Sequence, residues 1–556
     1  MDPKPFENER TFAAYRSEGT LDEFHRSFEE AVTEVESELG RSHALLIDGR
    51  RVDAEETYTV TSPADQTLEI GQFAAAGADD VDRAVAAARD AFDEWRATHW
   101  SERIEIFRRA AALMRNRKFE LAATLTLENG KNRTEAMADI DEGIDFLRFY
   151  SRELERNDGY EYDTGEPTPG EHCTNALEPF GVFGVIGPFN FPFAIFCGML
   201  SGALLTGNTA VAKPASATSL IAHKAVDILV EAGLPDGVVN LVTGSGGAVG
   251  RPLVEHEDVA GVVFTGSRTV GRNIRRTFFD LEKPGPVIAE LGGKNPVIVT
   301  ANADLEKAVS GVTNGAFGYS GQKCSATSRV YVDERVIEEF TDRLVAATEE
   351  LVIDRPRTAE AFVSPLIDDD ALDRYVDICD RARQVGTVRT GGAVVADDGR
   401  SGDTGSDGDR SGREKTGRER SGDLPNGRFV EPTVVTGVPH DHELAREEHF
   451  VPFVTIHPVS GLDEAIANAN DSTYGLCAGL FSEDENEVET WFERIESGMC
   501  YVNREQSATT GALVQAQPFG GWKASGTTSK FAGGYWYLPQ FLREQSRTVV
   551  GDVGRE

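Results

Sequence analysis

The sequence predicts an α/β protein organised on a parallel, doubly wound sheet, and three observations carry that prediction. From residue 181 short apolar strands alternate with helical stretches: GVFGVIG, NTAVAKP, VVNLVTG and VAGVVFTGS are each closed by Gly, Pro or Ser. Two glycine-rich turns, GSGGAVG (244–250) and GSRTVG (266–271), each follow a strand and open a helix. A second run of the same alternation continues from 289 to about 503. In such sheets functional loops lie at the carboxyl ends of strands, where Asn190, Lys213, Gly244 and Ser267 fall.

The elements follow in order. Residues 21–39 set Phe24, Phe28, Val32 and Val35 at helical spacing. HALLIDGRRV (43–52) predicts a hairpin turning at Asp48-Gly49. Helical patterns occupy 78–98, 101–117, 119–129 and 133–155, after which 160–175 loses the period and predicts an extended arm. The helix at 217–232 is stopped by Gly233-Leu234-Pro235. Strands at 287–290 and 296–300 flank Gly292-Gly293, and helices follow at 305–315 and 336–351. Residues 397–426 are low-complexity Gly, Ser, Asp and Arg, too poor in apolar groups to bury a core, and predict a disordered surface insertion. The tail 535–550 is apolar and aromatic again and should dock, another subunit being one such surface.

The chain has 556 residues, enough for more than one domain and a large core. We divide it into a dinucleotide-binding domain (1–158 and 178–288), a catalytic domain (289–505) and an oligomerisation arm with the tail (159–177 and 530–556). The charged start, MDPKPFENER, and the lack of a long apolar run predict a cytoplasmic protein without signal peptide or membrane span. Six scattered cysteines form no CxxC pair, which argues against a metal site or a disulfide framework. A net charge of −37, with bases mostly Arg, disfavours nucleic acid and anionic membrane as partners. With 40% hydrophobic residues the chain folds, and the acidity reads as a solvated surface of the kind halophiles use.

Cys324 lies in GAFGYSGQKCSATSR (315–329), flanked by small and polar residues. An exposed loop or helix start there, beside Lys323, would lower the thiol pKa and make it nucleophilic; a buried small hydrophobe is the alternative. Glu290 ends the strand of GPVIAELGG, where partial desolvation raises a carboxylate pKa and suits a general base, or where it simply meets solvent. Asn190, in GPFNFP, can donate to an oxyanion or cap a helix. The glycine turns at Gly246–Gly250 and Gly266–Ser267 suit a pyrophosphate, and Lys213 suits a ribose or phosphate, or is an ordinary surface lysine. His223, His256, His440, His442 and His449 stand in no recognisable thiol-protease context, which leaves Cys-His hydrolysis the weaker alternative.

Taken together, Asn190, Lys213, FTGS (264–267), ELGGK (290–294), GQKC (321–324) and EEHF (447–450) resemble the aldehyde dehydrogenase superfamily, in that family's order. The resemblance implies a Rossmann-like dinucleotide-binding domain, a second α/β catalytic domain and a small β oligomerisation arm in a homo-oligomer. It implies Cys324 as nucleophile, Glu290 as base, and the Asn190 side chain with the Cys324 N–H as oxyanion hole. It assigns the NAD site to Ile186, Gly187, Pro188, Phe189, Lys213, Ser216, Gly246, Gly250, Ser267, Leu291, Glu448 and Phe450. PFENER (5–10), GQKCSA and TGALVQAQPFGGWKASGT (510–527) are similar to 1-pyrroline-5-carboxylate dehydrogenases, which oxidise glutamate γ-semialdehyde in proline breakdown. That narrower likeness implies Ser325, Gly511 and Ala512 for the substrate carboxylate, with Phe191 and Phe519 along its stem. Two departures stand out. Val451 occupies a place where many members carry glycine, which predicts a shifted loop. Ser216 occupies a place where NAD-preferring members carry glutamate, which predicts NADP use beside NAD. The alternatives are the same chemistry on another aldehyde, and a non-catalytic dinucleotide-binding scaffold.

Overall fold

The structure is a computed structural model that describes residues 6–395, 424, 426–505 and 513–551. Two seven-stranded sheets organise it. In the first, strands Val182–Ile186, Thr209–Lys213, Val239–Leu241, Val259–Thr265 and Val287–Glu290 are parallel. The hairpin Leu45–Ile47/Arg50–Val52 extends the sheet antiparallel at one edge. Its turn residues Asp48 and Gly49 both have positive φ, 53° and 68°, the geometry that matches the twist of paired strands.

Register places the functional ends level. Ile186 pairs with Lys213, and Thr265 with Glu290, so these carboxyl ends finish along one edge of the sheet. The second sheet runs Thr387–Thr390, Thr433–Thr436, Phe453–Val459, Thr327–Asp333, Asn295–Val299, Cys477–Phe481 and Met499–Val502, parallel but for its first strand. Asn295–Val299 is fully buried, which is why it reads as an unbroken apolar run after its first residue. Helix Ala194–Leu205 is apolar on every side and sits inside the main core against helix Arg133–Arg156.

A third sheet is antiparallel: Glu161–Gly165, Glu171–Pro179 and Leu542–Val550. The arm expected at 160–175 is therefore two strands, and the tail supplies the third. The tail divides in character. Tyr537, Leu538 and Phe541 bury themselves in the main core, whereas the strand Leu542–Val550 is exposed over most of its length. The fold also contains a hairpin that the sequence pattern did not announce, Glu56–Ser62 with Asp65–Ala75. Its alternation is broken by register shifts and it is only partly buried, so its periodic signal is weak. Most of the expected insertion at 397–426 lies outside the described residues. No described helix is long and apolar enough to cross a membrane, and the described residues contain no cluster able to hold a metal ion.

Candidate active site

A cavity of about 910 Å³ opens at the carboxyl edge of the first sheet and reaches Cys324. Ile186, which ends the first parallel strand, and Gly187, Pro188, Phe189 and Asn190, which follow it, line one side. Asn129, unnoticed in the sequence because Asn-Gly there reads as a helix end, holds this turn. Its side-chain amide donates to the Phe189 carbonyl at 2.7 Å, and Tyr319 Oη donates to the Asn129 carbonyl at 3.1 Å. Asn190 is buried and shares the cavity with Cys324. It does not cap the helix that follows, whose N-cap position is Phe193.

Lys213, Gly246, Gly250 and Ser267 line the same cavity. Ser267 accepts from the Val270 N–H at 3.3 Å and caps helix Arg268–Asp280, whose amino end thereby faces the cavity. Gly246–Gly250 forms one wide turn, capped by Ser245, which leads into helix Arg251–Glu255. Lys213 is buried, and burial pushes its ammonium down to about 8; it donates to the Pro214 carbonyl at 3.1 Å. Ser216 is turned away, its hydroxyl donating to the Gly244 carbonyl at 2.9 Å, and it is not part of the cavity wall.

The opposite wall carries Leu291, Gly292, Glu448 and Phe450. Glu448 accepts from the Gly293 N–H at 3.0 Å, and burial raises its carboxyl to about 7. A Cβ on Gly292 would lie 2.0 Å from that carboxylate, so a side chain there would push the Glu448 carboxylate out of its place. Phe450 sits at φ 60° with its ring edge-on to Phe189, centroids 5.7 Å apart. A cavity lined by glycine turns, a capped helix amino end, a carboxylate and a thiol fits a dinucleotide.

Cys324 departs from expectation in its electrostatics. The thiol is partly buried in a turn that follows the carboxyl end of helix Leu305–Phe317, not the amino end of a helix. Lys323 points away and pairs with Glu135 at 2.6 Å. Burial, then the Glu448 and Glu290 carboxylates, push the thiol far above its usual value instead of lowering it. The resting group is a thiol whose proton must leave before attack.

Glu290 follows the expected direction: burial raises its carboxyl well above the ordinary range, and the Gly521 N–H donates to it at 3.2 Å. Sequence reasoning missed Asn295, 3% exposed. Its amide donates to the carbonyls of Cys324 at 2.8 Å and Ala326 at 2.9 Å and accepts from the Cys477 N–H at 3.0 Å. A polar residue opening an otherwise apolar strand was the one signal available for it. Ser325 is buried beside Cys324. Phe191 is covered by the Lys131 ammonium, 3.7 Å from its ring centre. Phe519 is largely buried and exchanges two 2.8 Å backbone bonds with Ala532. Gly511 and Ala512 lie outside the described residues.

This fold is that of a known family. The family model described as "Aldehyde dehydrogenase family" matches residues 51–404 and 408–546, and the chain belongs to that family. It is similar to "1-pyrroline-5-carboxylate dehydrogenase" of Geobacillus thermodenitrificans (strain NG80-2), 39% identical over 536 residues, 95% of this chain and 97% of that one. "1-Pyrroline-5-carboxylate dehydrogenase 2" of Bacillus subtilis (strain 168) is 38% identical over 94% of this chain and 95% of its own length. Among solved structures, 1-pyrroline-5-carboxylate dehydrogenase from Thermus with bound NAD superposes with a TM-score of 0.87 at 34% identity, covering 99% of this chain and all of that one.

Proposed function

We propose that the protein oxidises L-glutamate γ-semialdehyde, the open form of 1-pyrroline-5-carboxylate, to L-glutamate with NAD in proline degradation. The observation that carries this reading is the meeting of Cys324 and Asn190 in one cavity with the glycine turns and the buried Glu448. The named relatives, alike over nearly the whole chain, support the choice of substrate.

NAD, when bound, accepts the hydride. The residues of the chain do the rest. Cys324 gives its proton to solvent and its sulfur adds to the aldehyde carbon, while the Asn190 amide and the Cys324 N–H stabilise the oxyanion of the thiohemiacetal. Loss of hydride from that carbon leaves a thioester on Cys324. Glu290, with its raised pKa, takes a proton from water as the water attacks the thioester, releasing glutamate and the thiol. Ser325, Gly511 and Ala512 hold the substrate carboxylate in a nest of donors, with Phe191 and Phe519 along the methylenes.

We assign cofactor binding to 1–158 and 178–288, catalysis to 289–505, and subunit contacts to the arm and tail of a cytoplasmic homo-oligomer. The acidic composition supports a high-salt working environment. An aldehyde panel assayed with NAD and NADP tests the reading. The semialdehyde should exceed propanal in kcat/KM by about tenfold or more, since charge-assisted bonds to the carboxylate are worth roughly 1.5–3 kcal/mol each. Ala512→Asp should abolish semialdehyde turnover and spare propanal. Equal loss on both substrates would remove the carboxylate anchor.

A further inference from the structure

The proposed chemistry makes no use of the amino-terminal segment, yet that segment is bonded to the run leading to Glu290. Asn8 Nδ2 donates to Asp145 Oδ2 at 2.9 Å and to the Val514 carbonyl at 3.3 Å. The Glu9 N–H donates to both Asp145 oxygens at 3.0 Å, and the Glu9 carboxylate takes Arg148 at 2.8 Å and Arg115. The Phe6 N–H donates to Gln515 Oε1 at 2.8 Å, while Gln515 Nε2 donates to Tyr535 Oη at 2.7 Å. The Phe149 ring makes edge contacts with both Phe6 and Tyr535, at 5.5 and 5.9 Å. Residues 6–9 thus strap the segment at 514–515 to helix Arg133–Arg156.

Gln515 itself has φ 68°, a conformation that a residue with a Cβ keeps only where its surroundings over-determine it. Its side-chain bonds to Phe6 and Tyr535, with its N–H on the Gly533 carbonyl at 2.8 Å, supply that restraint. Downstream, Phe519 pairs with Ala532 and the Gly521 N–H reaches the Glu290 carboxylate. A bonded track therefore leads from Asn8 to the substrate side of the site.

We propose that Asn8 and Gln515 are positioning residues for substrate selectivity. The strap at residues 6–9 fixes the segment that carries Phe519, which lies along the substrate stem, and so favours the carboxylate-bearing semialdehyde over a short neutral aldehyde. This inference rests on the semialdehyde being the substrate.

The test uses the full chain with Asn8→Ala, Gln515→Leu and Gln515→Glu, measured on pyrroline-5-carboxylate and on propanal at saturating NAD, with Tm recorded. Gln515→Glu keeps an acceptor for the Phe6 N–H and another for the Tyr535 hydroxyl. Asn8→Ala and Gln515→Leu should each raise KM for the semialdehyde about tenfold, the size of one lost hydrogen bond, with kcat and the propanal constants within about twofold. Gln515→Glu should restore the wild-type KM. Losses shared equally by both substrates, or semialdehyde constants unchanged in both variants, would overturn the strap alone. Wild-type enzyme that oxidises both aldehydes alike would remove the substrate reading and this inference with it.

Discussion

Asn295→Ala removes the brace under the nucleophile and is the sharpest probe of how the site is built. The side chain serves three backbone groups: it donates to the Cys324 and Ala326 carbonyls and accepts from the Cys477 N–H. Each buried group left unpaired costs about 1–3 kcal/mol, and water entering the vacated space recovers part of that. The expected destabilisation is about 3 kcal/mol, seen as a fall in Tm of about 3 °C. The Cys324 turn also loses the contact that joins it to strand Cys477–Phe481. Small misplacement of a reacting atom costs on the order of 100-fold, so turnover should fall about 10- to 100-fold with little change in KM for NAD. Asn295→Asp should do no better, because an ionised carboxylate would face two carbonyl oxygens. Thermal melts, steady-state kinetics and the rate of Cys324 alkylation by iodoacetamide measure all three effects. A Tm within about 1 °C of wild type together with turnover within about twofold would show that Asn295 does not hold the Cys324 turn.

The same geometry sets further outcomes. Cys324→Ala should abolish reduced-cofactor formation, whereas Glu290→Gln should keep a burst and slow the steady state by about 100-fold, as loss of general-base help does; stopped-flow absorbance separates the two. Cys324 is raised above its ordinary value and acts deprotonated in the first step, so kcat/KM should climb as pH rises through neutrality, while Glu290, raised likewise and acting in thioester hydrolysis, should make kcat climb; profiles that fall over that range would contradict the assignments. Activity and Tm should increase from low to molar salt as the −37 surface is screened, and a flat response removes the high-salt reading. Because the Ser216 hydroxyl is held by the Gly244 carbonyl outside the cavity wall, Ser216→Glu should leave the ratio of NADP to NAD use unchanged, and a selective loss of NADP would show that position 216 faces the 2′-phosphate.

The alternation of strands and helices, the Asp48-Gly49 turn, and the order of Asn190, Lys213, Glu290, Cys324 and Glu448 are local or near-local properties of the chain. Periodicity and turn chemistry report the strands, helices and turn directly, the order of the site residues is read from the resemblance to the family, and the first sheet formed as the local signals imply. The tertiary structure decided everything that depends on partners distant in sequence. Lys323 stands next to Cys324 in the chain, but Glu135, nearly two hundred residues upstream, draws its ammonium away; burial, and then Glu448 and Glu290, leave the thiol with a raised pKa. Asn295 looked like an interruption of an apolar strand until the Cys324 turn and Cys477 came to lie on either side of it. Residues 535–550 read as one apolar tail, yet Tyr537, Leu538, Phe541 and Leu542 enter the core while the rest of the strand Leu542–Val550 stays mostly exposed and pairs with the arm. Hydrophobic pattern specifies which groups leave water; which polar group each buried atom then meets is fixed only once the sheets have packed.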